Sequence, residues 1–135
     1  MATLLKSQTL PVVKETDVVQ ARQMARQWAI EITFGLVDQT KIVTAVSELA
    51  RNTINYGGGG TMTIEIWSNG NRKGLKAIFE DKGPGIPNIE LALQDGYTTG
   101  GGLGLGLSGA KRLSNEFEIK SKPGEGTRVA ITRWK

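Results

Sequence analysis

Apolar residues recur at helical spacing early in the chain. Val18, Ala21, Ala25, Trp28, Ala29 and Ile32 fall on one face of a helix that Asp17 is placed to cap and that Phe34-Gly35 stops. A second stripe, Ile42, Val46, Leu49 and Thr53, predicts a helix of about 19 residues from Asp38 to Tyr56, ended by the glycine run Gly57–Gly60. The period then changes from helical to alternating. Met62, Ile64 and Ile66 alternate with Thr61, Thr63, Glu65 and Trp67, Asn69-Gly70 has turn chemistry, and Leu75–Asp81 alternates again, which reads as a hairpin or meander. Asn88–Gln94 is a candidate short helix, and a helical pattern resumes at Leu107–Leu113 after the glycine-dominated stretch Gly96–Gly109. Phe117–Ser121 and Thr127–Trp134 are two further strands around the turn Pro123-Gly124-Glu125-Gly126. Near the start, Ser7–Lys14 holds the β-formers Leu10, Val12 and Val13, but Pro11 lacks an N–H, so an edge strand is expected there.

Two long helices followed by strands with antiparallel connections imply an α+β class, a two-layer sandwich of one sheet with helices on one face. With 135 residues, no internal repeat and no linker, one domain spanning 1–135 is expected.

Composition narrows the chemistry more than the fold. The chain is 39% hydrophobic and 22% charged, inside the globular range. It has no Cys and no His, which removes disulfides, thiolate nucleophiles, imidazole bases and Ser-His-Asp catalysis. Carboxylates, amides, hydroxyls and backbone remain. No apolar run approaches the ~20 residues that span a bilayer, and Met1–Lys14 lacks the features of a signal peptide, so a cytoplasmic protein without a membrane partner is expected. The net charge of +4 arises wholly after residue 67, which suits either an anionic ligand there or an ordinary solvated basic surface. A nucleic-acid partner is not expected, since no basic-aromatic motif accompanies the positive charge.

Four stretches could carry chemistry. On the second helix, Ala45, Glu48, Asn52 and Asn55 share an arc of ~80°, beside the apolar stripe. Glu48 and Asn52 are neighbours at i and i+4, and a carboxylate beside an amide oxygen can hold Mg²⁺ and orient a hydroxyl; taken alone, a plain solvated face is the better account of them. Asp81-Lys82-Gly83-Pro84-Gly85 follows a predicted strand, presenting either a carboxylate on a loop that can approach a flat ligand or a simple capped turn. Gly100–Gly109 precedes a helix bearing Lys111 and Arg112, so its backbone N–H groups and the helix dipole suit phosphate, and Leu103, Leu105 and Leu107 look like packing contacts. Gly124-Glu125-Gly126-Thr127 is a hairpin turn with a hydroxyl available to a ligand or to its own backbone. Within these, Gly104–Gly109 fits G-x-G-x-x-G. No strand precedes it as a dinucleotide fold requires, a His-free chain cannot carry the His-Arg-Asp loop of eukaryotic-type kinases, and no Gly-Lys pair exists for a Walker A loop.

Taken in order, Glu48-x-x-x-Asn52, Asp81-x-Gly-x-Gly85, Gly102-x-Gly-x-Gly106 and Gly124-x-Gly126-Thr127 resemble the nucleotide-binding boxes of the GHKL ATPase/kinase superfamily. Ser47–Asn52, Glu80–Pro87, Asp95–Thr99 and Gly101–Gly106 with Lys111–Leu113 look most like its serine/threonine switch kinases of bacterial stressosomes and their anti-sigma relatives, over roughly Asp17 to Trp134. The resemblance implies the Bergerat fold, with a mixed, mostly antiparallel sheet, and a site for ATP and Mg²⁺. It implies that Asp81 reads the adenine amine, that Gly83 and Gly85 let the loop approach the base, and that Thr127 supports that end. By the same resemblance Asn52 holds Mg²⁺ against the phosphates, Glu48 positions or deprotonates the accepting hydroxyl, and Gly102, Leu103, Gly104, Leu105 and Gly106 form a short lid over the phosphates. The implied activity is transfer of phosphate from ATP to a Ser or Thr of a STAS-domain antagonist or scaffold protein, with a PP2C-type phosphatase or a sigma factor as a second partner. The alternative is a binding module whose nucleotide tunes affinity for such a phosphatase or sigma factor, with little kinase activity.

Overall fold

The computed structural model describes residues 2–86, 88–94 and 106–135. The order of elements is strand β1 (Ala2–Val12), helices α1 (Glu15–Glu31) and α2 (Leu36–Asn55), strands β2 (Gly60–Asn69) and β3 (Arg72–Asp81), short helices α3 (Ile89–Ala92) and α4 (Gly106–Arg112), and strands β4 (Glu116–Lys122) and β5 (Gly126–Trp134). The strands form one sheet in the order β1-β2-β3-β5-β4. Every pairing among the described residues is antiparallel, so the sheet is not mixed.

The alternating residues of β2 and β3 explain the layering. Met62, Ile64, Ile66, Leu75, Ala77 and Phe79 point to one side, where they meet Val18, Ala25 and Trp28 of α1 and Ile42, Val46 and Leu49 of α2 in one buried cluster. Burial of such side chains contributes roughly 1.5–3 kcal/mol each. β1 is longer than the expected edge strand and does lie on the edge; only Val12 is buried, and Lys6 pins it to α1 by standing 4.3 Å over the Trp28 ring and 3.2 Å from both Glu31 oxygens.

The helix ends depart from expectation in three places. α1 begins at Glu15, so Asp17 is its third residue and not its cap; the Asp17 carboxylate reaches back to accept from the N–H groups of Val13 (2.9 Å) and Lys14 (3.1 Å). The stop after α1 uses no glycine. Phe34 N–H donates to the Ala29 carbonyl and Thr33 N–H to that of Ile30, a Schellman ending in which Thr33 takes the left-handed conformation (φ 64°), while Gly35 (φ −68°) instead precedes α2. The β2–β3 hairpin turns one residue later than Asn69-Gly70: Asn69 pairs with Arg72, and Gly70 (φ 64°) holds the first central position, as a type II′ turn requires.

Arg133 locks the far end of the sheet to the helices. Its guanidinium donates to Asp38 Oδ1 at 2.7 Å and to the Leu113 carbonyl at 3.0 Å, tying β5 to the first turn of α2 and to the chain just after α4. Among the described residues no helix is long and apolar enough to cross a membrane.

Two stability predictions follow from the helix ends. A β-branched residue in the left-handed region is strained where glycine is not, so Thr33→Gly should raise stability by about 1 kcal/mol, seen as a Tm higher by a few degrees. The two backbone hydrogen bonds hold the Asp17 carboxyl below its ordinary 3.8. A lowered folded-state pKa stabilises at pH values above the unfolded one, and that contribution disappears as pH falls through the folded value. Urea titrations should therefore find Asp17→Ala less stable than the parent at pH 7, with the gap closing as the pH drops below 3.8.

Candidate functional site

The C-terminal end of β3 is surrounded by backbone that tolerates no side chain. A Cβ on Gly57 would stand 2.4 Å from Asp81 Cγ, one on Gly60 1.9 Å from the Glu80 carbonyl oxygen, and one on Gly126 2.2 Å from the Asp81 carbonyl oxygen. The glycine run after α2 thus does more than end a helix: Gly57 and Gly60 let the chain press against the strand that carries Asp81. Gly83 fits the same way, since a Cβ there would lie 2.7 Å from the Gly57 Cα. Gly83 N–H donates to Asp81 Oδ1 at 2.9 Å, an Asx turn that fixes the carboxylate, while Oδ2 lies against Gly57.

The β4–β5 hairpin supplies the other wall. Thr127 is the register partner of Asp81 on β5, so both side chains leave the sheet on the helix side. Ser121 on β4 is the register partner of Thr127, and their hydroxyls are 2.9 Å apart. The Ser121 hydroxyl also donates to the Gly126 carbonyl (3.1 Å) and accepts from Ile86 N–H (2.7 Å). Gly85 (φ 78°) closes the contact, because a Cβ there would sit 2.1 Å from the Lys122 carbonyl oxygen, and Gly124 N–H donates to the Pro84 carbonyl at 2.7 Å. The loop after Asp81 is therefore clamped onto the hairpin. Beside it opens a cleft of about 560 Å³ in which Asp81, Ile119, Ser121 and Thr127 are joined by the charged side chains of Glu80, Lys120, Lys122 and Arg128.

Glu48 and Asn52 stand apart from this cleft, on successive turns of α2, and both are half-buried. The flank predicted for that helix is reduced to these two, since Ala45 is fully buried in the core and Asn55 is exposed. Glu48 forms an ion pair with Arg51 at 3.2 Å. Asn52 faces the start of α4: a Cβ on Gly106 would lie 3.9 Å from Asn52 Nδ2. Gly57 links the two groups, because its N–H bonds to the Asn52 carbonyl (3.3 Å) while it packs on Asp81. Asp81, Gly83, Gly85 and Thr127 are thus brought together; Asn52 lies beside Gly106, and Glu48 lies one turn away from Asn52 on α2, paired with Arg51. Gly102, Leu103, Gly104 and Leu105 lie outside the described residues, as do Asp95–Thr99.

Three contributors escaped the motif reading. Arg51 was detectable from its i+3 spacing to Glu48. Gly57 was noticed only as a helix stop. Ser121 belongs to no motif, and its place depends on strand register.

Residues 37–135 match the family of histidine kinase-, DNA gyrase B- and HSP90-like ATPases, and the chain belongs to that family. Within it, the chain is 50% identical over 123 residues to serine/threonine-protein kinase RsbT of Bacillus subtilis (strain 168), covering 91% of this chain and 92% of that protein. It is 32% identical over 120 residues to the anti-sigma F factor of Thermoanaerobacter sp. (strain X514), covering 84% and 82% of the two chains. Two solved structures share the fold. The RsbU and RsbW domains of Rv1364c from Mycobacterium tuberculosis superpose with a TM-score of 0.67 at 20% identity, over 96% of this chain and 32% of that one. The mycobacterial sensor histidine kinase MprB gives a TM-score of 0.56 at 19% identity, over 95% and 97%.

Substituting Gly57 tests the close approach. Gly57→Ala forces a methyl group into the Asp81 carboxylate, and overpacking of this kind costs about 1–3 kcal/mol, so its thermal midpoint should fall by several degrees. An unchanged midpoint would mean that Asp81 moves aside freely.

Proposed function

We propose that this chain is an ATP-dependent protein serine/threonine kinase of partner-switching signalling, acting in the cytoplasm, with residues 1–135 serving as one ATP-binding kinase domain. The acceptor is a Ser or Thr of a STAS-domain antagonist, and a PP2C-type phosphatase or a sigma factor is a second partner. The observation that carries the reading is the placement of Asn52, one turn from Glu48 on α2, beside the start of α4, while Gly57 joins that helix to the Asp81–Thr127 cleft. The 50% identity to a serine/threonine kinase along nearly the whole chain supports it.

The residues present fit the cofactors. Gly85 and Gly126 let the loop after Asp81 and the β4–β5 hairpin pack directly on one another, and the Asp81 carboxylate they help to seat would accept from the exocyclic amine of a purine. Among the described residues no three carboxylates gather into a metal cage, so Asn52 would hold Mg²⁺ as one oxygen ligand alongside the phosphates. When bound, Mg·ATP supplies the phosphoryl group with its charge largely neutralised. Gly102, Leu103, Gly104, Leu105 and Gly106 are the residues that would bind the phosphates. Glu48 accepts the proton of the incoming hydroxyl at its carboxylate, and Arg51 holds that carboxylate on the helix face. No imidazole is needed.

The anti-sigma F factor relatives favour a second reading, a module whose bound nucleotide sets its affinity for a partner, with little transfer. Glu48→Ala separates the two. Under the kinase reading it keeps the nucleotide-induced rise in Tm, about 2.7 kcal/mol of added stability at a hundred times Kd, and loses transfer to the antagonist by roughly 10²–10⁴-fold. Unaltered transfer by Glu48→Ala would overturn the role of Glu48, and no Tm rise for the unsubstituted protein at millimolar Mg·ATP would overturn the nucleotide site.

A further inference from the structure

α2 keeps one flank out of the core along its whole length. Ile42, Val46, Leu49 and Ala50 are buried, whereas Val37, Lys41, Thr44, Glu48, Arg51 and Asn55, which fall within an arc of ~80°, are half-buried or exposed. Within this stripe the Glu48 carboxylate engages Arg51 through Oε1 alone, at 3.2 Å, so its Oε2 has no partner among the described residues. Arg51 gives Glu48 only Nη1. Its side chain is 41% exposed, and its other N–H groups meet no acceptor among the described residues. Lys41, about two turns nearer the start of the helix, is exposed and has no ion pair among the described residues. Glu48 is the only acid on the stripe, and Val37, 66% exposed, adds an aliphatic group at its beginning.

We infer that this flank of α2 is the docking surface for the acceptor protein, and that the acceptor is acidic around its accepting hydroxyl. The inference rests on the kinase reading given above and goes beyond it in naming the surface and the charge of what covers it. A hydroxyl that gives its proton to Glu48 must come within ~2.6–3.2 Å of that carboxylate. Arg51 already stands 3.2 Å from the same carboxylate, so whatever flanks the hydroxyl meets the guanidinium. Lys41 lies seven residues from Glu48, ~10 Å along the helix axis, well inside a protein contact of about 800 Å² per partner. Neutral surface laid over two cations would strip their water without replacing it, whereas carboxylates supply charge-assisted hydrogen bonds, bidentate ones at Arg51.

The test measures kcat and KM for transfer from Mg·ATP to a STAS-domain antagonist, since KM does not depend on the fraction of protein that is folded. Lys41→Glu leaves Glu48, Asn52 and Asp81 in place. It should raise KM for the acceptor about tenfold while kcat and the nucleotide-induced rise in Tm keep their parent values, and Lys41→Arg should restore KM. Lys73→Glu makes the same change of net charge on β3, at the opposite end from Asp81, and should alter KM by less than about twofold. Among acceptor carboxylates within ~10 Å of the accepting hydroxyl, the span from Glu48 to Lys41, at least one changed to Lys should give an acceptor that Lys41→Glu uses better than the parent does. An equal rise of KM in Lys73→Glu, or rescue of no reversed acceptor, would overturn the docking surface. If the unsubstituted protein binds Mg·ATP but passes phosphate to no STAS-domain protein, the kinase reading falls and the surface with it; if transfer proceeds and Lys41→Glu keeps the parent KM, only the surface falls.

Discussion

Steric exclusion of Cβ atoms around the end of β3 is the constraint on which the rest of the site depends. Gly57, Gly60 and Gly126 approach this strand end so closely that any other residue would have to displace a backbone carbonyl or the Asp81 carboxylate itself. Interiors packed to crystalline density do not yield to such displacement without strain. The result is that Asp81 is held by the shape of three chain segments, and the hydrogen bond from Gly83 N–H to Oδ1 sets which oxygen faces outward. A carboxylate placed this way is positioned by packing and an Asx turn, with no ion pair to it among the described residues.

The same economy is seen in how the two halves of the site are connected. α2 carries Glu48 and Asn52 on its flank and buries Ile42, Val46 and Leu49 against the sheet, so the helix cannot rotate without exposing core. Two residues beyond its end, Gly57 sits on Asp81. The distance between the carboxylate that suits a base and the acid that suits a hydroxyl is thereby fixed by one rigid helix and a short turn. Arg133 does similar work at the opposite end, where it joins β5, α2 and the segment after α4.

Much of this was readable from the residues alone. The helical stripes of α1 and α2 and the alternation in β2 and β3 are strong because each element buries only one face, and the order of the boxes points to the family. What was misread was local. Asp17 looks like a cap but serves from the third position, and the glycine at position 35 looks like the stop that Thr33 performs; in both cases the residue type was right for the neighbourhood and wrong for the exact seat, because caps are chosen by tertiary fit within a residue or two. The roles of Ser121 and Gly57 in the site are not legible for a different reason. Their importance comes from strand pairing and from close approach between segments far apart in sequence, and a one-dimensional pattern carries no record of either. The sheet was expected to be mixed, and the strand order that makes every pairing antiparallel is likewise a long-range property.

The placement of β5 has a consequence for the life of the molecule before it works. This strand is the last in sequence order yet lies inside the sheet, between β3 and β4, and it carries Thr127 directly opposite Asp81. During synthesis the first three strands and both long helices are available well before it, but the inner edge of β3 stays unpaired until residues 126–134 have left the ribosome. The chain therefore passes through a stage in which its longest helices are made and its cleft does not exist. The cleft takes its shape only when β5 enters between β3 and β4 and sets Thr127 opposite Asp81.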